Sequence, residues 1–366
     1  MTGTANELKI PTDWSQVTPE WMTAALSPRL PGVRVGGVRL VSHDEGSNMR
    51  ARFALTYAEG EGPASLFLKQ HAPVNREAHV ANGNLYVEAQ LYDSGVPLGV
   101  DFPKVYRVVI DRDDLNFLVV MEDLNARGAD PRDATRPMTA AQVKSGVEGL
   151  ARMHSLYWGF DGTIQPKLDW VRSWSKVTGF EGGFRINIPR GLERAAGTLP
   201  DALADWSVEA LIALWGRYVA TLGEGTPTLL HADAHIGNSY VLPGDTVGFF
   251  DPIARRGNWA QDTGYFLVSA LTPDDRRRSD ADLIDAYRNA LTLPEDQAPS
   301  REDMWLQYRA SPIYGLCVWL ATLGADGWQR NEICLPLAQR YAAAFVEHDS
   351  PAAIAEIEAR IAAKTY

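Results

Sequence analysis

His231-Ala232-Asp233-Ala234-His235-Ile236-Gly237-Asn238 packs two histidines, an aspartate and an asparagine into one short stretch, and Asp251 follows after two apolar runs. Asp233 has the chemistry of a general base. Asn238 and Asp251 offer hard oxygens, and a few of these suit a Mg²⁺ ion that keeps some of its water and bridges a bound nucleotide's phosphates. A base beside metal-held phosphates is the minimum equipment for phosphoryl transfer, where catalysis is mostly positioning and charge neutralisation. The same residues admit a second chemistry. His231, Asp233 and His235 alternate in the manner of transition-metal ligands, which would make a metal-dependent hydrolase. The non-catalytic alternative is a polar turn with internally satisfied histidines, since buried polar groups need partners.

The neighbouring sequence explains how these groups would be held. Thr228-Leu229-Leu230 is an apolar lead-in, and Tyr240-Val241-Leu242 and Val247-Gly248-Phe249-Phe250 flank a Pro243-Gly244-Asp245 turn. That pattern predicts a small hairpin bringing Asn238 and Asp251 together at its open end. A helix over Ser207–Leu222 delivers the chain to the loop, and Asp262 opens an apolar helix beyond it, where an acid suits the N-terminus. Upstream, Val33–Val41 and Arg50–Tyr57 alternate as strands around the turn-rich Ser42–Asn48, a hairpin that can lay backbone N–H groups over phosphates, with Ser47 as its candidate contact. Ser65–Gln70 is an apolar strand ending near Lys69, and Leu85–Tyr92 has helical periodicity and carries Glu88. Phe102–Ile110 and Leu115–Met121 form another hairpin, after which periodicity is lost at Glu122-Asp123-Leu124-Asn125.

His231-Ala-Asp233-Ala-His235-Ile-Gly237-Asn238 with the later Asp251 resembles the catalytic signature of the aminoglycoside phosphotransferase, choline kinase and ecdysteroid-kinase-like superfamily. The resemblance implies an α+β, bilobal, protein-kinase-like fold: an N-terminal antiparallel-sheet lobe over 1–124 that binds nucleotide, and a larger, mainly α-helical lobe over 125–366 with the catalytic loop and substrate site. It implies an ATP- and Mg²⁺-dependent kinase acting on a hydroxyl of a small molecule. Asp233 would be the catalytic base, Asn238 and Asp251 the Mg²⁺ ligands, and Lys69 the cation on the α/β-phosphates. Glu88, with Glu77 as second choice, would orient Lys69. Glu122 and Leu124 would flank the hinge where adenine meets backbone groups. Asp262 would anchor the catalytic loop, and His231 and His235 would support it. Two positions depart from the pattern: Ala232 replaces a customary glycine, and Pro252 replaces a commoner aromatic. Alanine fits there only if φ is negative.

Composition narrows the function classes. Lys plus Arg total 35 against 46 Asp plus Glu, a net charge of −11, which argues against a nucleic-acid partner. Two cysteines make no disulfide framework. The first residues lack the basic and apolar regions of a signal peptide, and no apolar run is long enough to cross a membrane. A cytoplasmic enzyme with a small hydroxylated substrate is the expectation; a catalytically idle nucleotide-binding scaffold is the other possibility that this fold leaves open. Thr139-Ala-Ala-Gln142 opens a long helix in which His154 sits on the apolar side as a core histidine. Residues 160–190, rich in Gly, Pro and Trp, read as a substrate-side insertion or lid. Helices are expected over Pro273–Leu291, Arg301–Leu323, Asn331–His348 and Pro351–Lys364. Trp215 and Trp319 belong to the core; Trp259 is a candidate substrate wall, and Arg255 and Arg256 are candidate contacts for phosphate or substrate acids.

Overall fold

The computed structural model describes residues 8–46, 48–81, 83–161, 163, 165–174 and 180–364. Two compact units divide the chain: the first comprises the chain to Pro97 plus Phe102–Ala129, the second Leu98–Asp101 plus Asp130 onward.

Strand alternation builds the first unit. β1 (Arg34–Glu45), β2 (Asn48–Glu59), β3 (Ser65–His71), β4 (Val105–Asp111) and β5 (Asn116–Glu122) form one antiparallel sheet in the order β1-β2-β3-β5-β4. Successive side chains on a strand face opposite ways. Leu66, Leu68, Leu118 and Val120 therefore join Trp14, Met22, Leu26 and Phe53 in one cluster, on the side of helix α1 (Pro19–Leu26). Phe117, Val119 and Met121 point the other way and pack with Leu85 and Ala89. Ala89 lies on α3 (Val87–Ser94), and the short α2 (Arg76–Ala81) precedes it. Lys69 pairs with Val119 in register, so the same alternation turns it toward α3.

Helices dominate the second unit. Thr139 and Gln142 exchange the reciprocal bonds of a capping box at the start of α4 (Ala140–Leu156). α5 (Phe180–Arg194) and α6 (Val208–Thr221) follow, the latter capped by Ser207. Next come β7 (Thr228–Leu230), the hairpin β8 (Ser239–Leu242) and β9 (Thr246–Phe249), and β10 (Arg255–Gly257). β7 pairs with β10, and β8 lies between β9 and the short β6 (Asp130–Pro131). Among the described residues the chain then runs through α7 (Ala260–Ala270), α8 (Pro273–Ala290), α9 (Arg301–Ala310), α10 (Pro312–Gly324), α11 (Asn331–Glu347) and α12 (Ser350–Ala362). The most apolar run in the sequence becomes α10, buried along nearly its whole length. Among the described residues no helix is long and apolar enough to cross a membrane.

One expectation needs correction. The single helix over Arg301–Leu323 is broken between α9 and α10, because Pro312 has no N–H to donate to the Tyr308 carbonyl. That carbonyl instead accepts from the Ser311 N–H at 3.1 Å and the Ser311 hydroxyl at 2.9 Å. The stretch with poor periodicity, 160–190, runs into α5, and glycines bring that helix against α10. A Cβ on Gly191 would fall 2.0 Å from the Leu320 carbonyl oxygen, and one on Gly324 would fall 1.9 Å from that of Asn187. Contact this close between backbones forces small residues rather than an apolar stripe, so periodicity gave little sign of the helix.

Candidate active site

The segment His231–Asn238 is fastened from below by one carboxylate. Asp262, in the first turn of α7, accepts the backbone N–H of His231 at 2.6 Å and of Ala232 at 2.8 Å. His154 meets the same carboxylate at 3.2 Å through Nε2, and its Nδ1 lies 2.7 Å from the Tyr287 hydroxyl. His154 is therefore a fully satisfied buried histidine, as its place on the apolar side of α4 suggests. Ser269, further along α7 and marked by no sequence signal, accepts the Ile236 N–H at 2.9 Å.

Above these anchors the polar groups converge. Asn238 donates through Nδ2 to the Asp233 carbonyl at 3.0 Å and to its carboxylate at 2.8 Å. The amide nitrogen thus faces Asp233, and the planar amide directs Oδ1 away from it. The β8–β9 hairpin brings the Phe250 N–H to the Asn238 carbonyl at 3.0 Å, which sets Asp251 beside Asn238. The turn between the strands needs Gly244 at φ +85. Asp251 itself sits at φ +55. Burial raises the Asp233 carboxyl to about 6, helped by the charges of Asp251 and Asp262 against the opposing pull of His231 and the Asn238 hydrogen bond. This crowding of carboxylates beside an amide oxygen is the donor chemistry a hard divalent cation fits.

Both loop histidines are neutral supports. Burial lowers His231, whose Nδ1 accepts the Asp233 N–H at 3.2 Å while Nε2 donates to the Phe250 carbonyl at 2.9 Å. Burial lowers His235 to about 4, and its Nδ1 accepts the Gly237 N–H at 3.0 Å. Its ring packs against Tyr265 and Trp319. With both nitrogens of His231 already bonded, a His231/Asp233/His235 metal site has no support. Among the described residues no three His, Cys, Asp or Glu side chains group as metal ligands.

Ala232 sits at φ +68, so the expectation of a negative φ is overturned. The two N–H bonds that Asp262 receives from His231 and Ala232 hold the backbone in that left-handed state despite the Cβ. A β-branched side chain tolerates it far less. Ala232→Val should cost about 2–3 kcal/mol in urea unfolding, whereas Ala232→Gly should stay within about 1 kcal/mol of wild type.

In the first unit, Lys69 Nζ and Glu88 Oε2 form an ion pair of 2.6 Å, with side chains only 4% and 10% exposed. Glu88 is thus the partner of Lys69 in preference to Glu77. Glu122 donates its N–H to the Lys104 carbonyl at 2.9 Å, and its carboxylate accepts from the Lys104 N–H and Arg127. The Leu124 carbonyl accepts the Ala129 N–H at 3.2 Å, closing a turn. Ser47 lies outside the described residues. Two other candidates belong to the core. Trp259 is 2% exposed and stacks on Tyr287 at 4.8 Å, so it is no substrate wall. Arg255 is equally buried and donates to the Ile253 and Ala254 carbonyls; Arg256 lies over the Phe160 ring.

An antiparallel sheet carrying a buried Lys–Glu pair, followed by a mainly helical unit, has the make-up of a protein-kinase-like fold. The family model described as phosphotransferase enzyme family matches residues 42–303, most of the chain, and the protein belongs to that family. A Ralstonia eutropha JMP134 protein assigned to the aminoglycoside phosphotransferases is similar in fold, with a TM-score of 0.54 and 15% identity over 90% of this chain and 97% of that one. A choline kinase from Cryptosporidium parvum Iowa II superposes with a TM-score of 0.50 and 10% identity, over 92% of this chain and 97% of its own. No curated protein matches the chain by sequence.

Proposed function

We propose that this phosphotransferase moves the γ-phosphoryl group of ATP to the hydroxyl of a small hydroxylated molecule. The observation that carries the reading is the Asn238–Asp233 hydrogen bond of 2.8 Å beside Asp251, in a chain of the phosphotransferase family. Asp233 orients the acceptor hydroxyl and takes its proton as the new O–P bond forms; the bond to the β,γ-bridging oxygen breaks and ADP leaves. A carboxyl raised to about 6, as that of Asp233 is, suits that task, because a base works best with a pKa close to the working pH. Mg²⁺, when bound by Asn238 Oδ1 and Asp251, supplies charge neutralisation on the phosphates. Lys69 pairs with the α/β-phosphates, and Glu88 holds its ammonium in place.

In this reading 1–124 is the nucleotide-binding lobe and 125–366 carries catalysis and the acceptor. Glu122 spends its N–H and carboxylate within its own unit, so Glu122 and Leu124 serve the adenine through backbone position. Two buried free thiols and a need for ATP favour the cytoplasm. The net charge of −11 favours a small molecule over nucleic acid.

The test is a thermal-shift series with Mg²⁺-ATP, Mg²⁺-GTP and each component alone, on wild type and Asp251→Ala. A ligand that binds only the native state at about 100 times its Kd stabilises by about 2.7 kcal/mol. The expected result is a nucleotide shift that requires Mg²⁺ in wild type and is mostly lost in the variant. A wild-type protein with no nucleotide shift would sink the proposal, and binding without transfer to any acceptor would favour the idle scaffold.

A further inference from the structure

We propose that Asp101 and Tyr240 form a latch that positions the cation-binding Asn238 and Asp251, a role that rests on the functional reading above. Asp101 lies in Leu98–Asp101, the excursion that packs within the second unit although its sequence neighbours on both sides belong to the first. Its carbonyl accepts the Phe249 N–H at 2.9 Å, and it forms a parallel bridge with Gly248, so it adds a fourth line of chain, on the outer edge of β9, to the sheet β6-β8-β9. From the opposite edge, Tyr240 of β8 pairs with Gly248 in register.

The Tyr240 hydroxyl donates a hydrogen bond to the Asp101 carboxylate. For the ring to reach from one edge of β9 to the other it must lie across the strand, and Gly248 makes that possible. A Cβ there would fall 2.3 Å from Tyr240 Cζ and 2.5 Å from its hydroxyl oxygen. Glycine at this point is a requirement of close approach, with no positive φ involved.

The latch ends on the two cation ligands. Tyr240 stacks on Phe250, with ring planes 4° apart and centroids 6.1 Å apart. Phe250 donates its N–H to the Asn238 carbonyl and accepts from His231 Nε2, and it immediately precedes Asp251. Tyr240 itself follows Asn238 by two residues. One phenol, fixed at both its ring and its hydroxyl, therefore spans both approaches to the site. Ligands must be held to a fraction of an ångström for a metal site to be preorganised, and this is the support that holds them.

Tyr240→Phe keeps the ring and removes the hydroxyl. Asp101→Ala removes the acceptor, and Asp101→Asn retains an oxygen that can still accept from the phenol. The experiment measures Mn²⁺ binding by electron paramagnetic resonance, with a non-hydrolysable ATP analogue present, in wild type, each single variant and Asp101→Ala/Tyr240→Phe. The half-saturating Mg²⁺ concentration for turnover and the melting temperature are followed in parallel. We expect Tyr240→Phe and Asp101→Ala each to weaken Mn²⁺ binding and raise the Mg²⁺ requirement roughly tenfold, about 1.4 kcal/mol in binding terms. Asp101→Asn should recover most of that loss, and the double variant should be no worse than either single one, as for two partners of one bond. Unchanged Mn²⁺ affinity in both single variants, with wild type binding normally, overturns the latch alone. Additive losses in the double variant, or a lower melting temperature with normal Mn²⁺ affinity, would also overturn it in favour of a purely structural contact. A wild-type protein that fails to bind Mn²⁺ with the analogue overturns the functional reading as well.

Discussion

Replacing Asp233 by asparagine should lower turnover by about 10²–10⁴-fold, the range a positioned general base contributes, while leaving the nucleotide-dependent thermal shift largely intact. Asparagine retains an acceptor for the Asn238 amide, so the loop keeps its geometry and only the proton acceptor is lost. Single-turnover kinetics, run beside the thermal-shift series, separate the two effects. The same variant should also stabilise the fold, and the sign follows from the carboxyl's position at about 6. An aspartate in an unfolded chain titrates near 4, so between about pH 4 and pH 6 the folded protein binds more protons than the unfolded one. Stability is lost as pH rises through that interval. The substituted side chain carries no charge and escapes the loss. In metal-free protein, Asp233→Asn should therefore melt higher than wild type above about pH 7 and converge with it near pH 4. Equal melting temperatures across the range would show that Asp233 carries no such cost. Native turnover in the variant would remove Asp233 from catalysis.

The Lys69–Glu88 pair carries the second large effect. Lys69→Met should cost about 3–5 kcal/mol in stability, because the variant strips the cation from a buried carboxylate. Replacing both partners with apolar side chains removes the stranded charge, and Lys69→Met/Glu88→Leu should recover most of the loss. Nucleotide affinity should not recover with it, since the phosphates lose their cation in both variants. Urea unfolding of the single and double variants, paired with nucleotide titrations, distinguishes a pair kept for function from one kept for stability. A double variant that regains affinity would show that Lys69 serves the fold alone.

The parts of the site that the sequence made legible are those set by local rules. Strand alternation put Lys69 and Phe67 on the face opposite Leu66 and Leu68, and helix periodicity presented Glu88 with Ala89 and Leu85. The turn over Pro243–Asp245 predicted the hairpin that returns Asp251 to Asn238, and Thr139 with Gln142 predicted a capped helix. Where local rules misled, a tertiary contact had overridden them. Ala232 at φ +68 is held by two N–H bonds whose acceptor lies thirty residues further on, so its own side chain could not announce the conformation. Trp259 looked like a substrate wall because it is near Asp251 in sequence, yet its ring stacks on Tyr287 in α8.

The sequence by itself picked out Asp233 as the candidate base and the hairpin that follows it, because both depend on residue types at short spacings, while Lys69 and Glu88 were marked by the resemblance to a kinase family. The tertiary structure decided which carboxylate receives Lys69, that His231 has no nitrogen left for a metal, and that Asp101 reaches Tyr240 across a glycine more than a hundred residues away in the chain. Pairings of that kind depend on where backbones pass one another, and chain spacing carries no record of it.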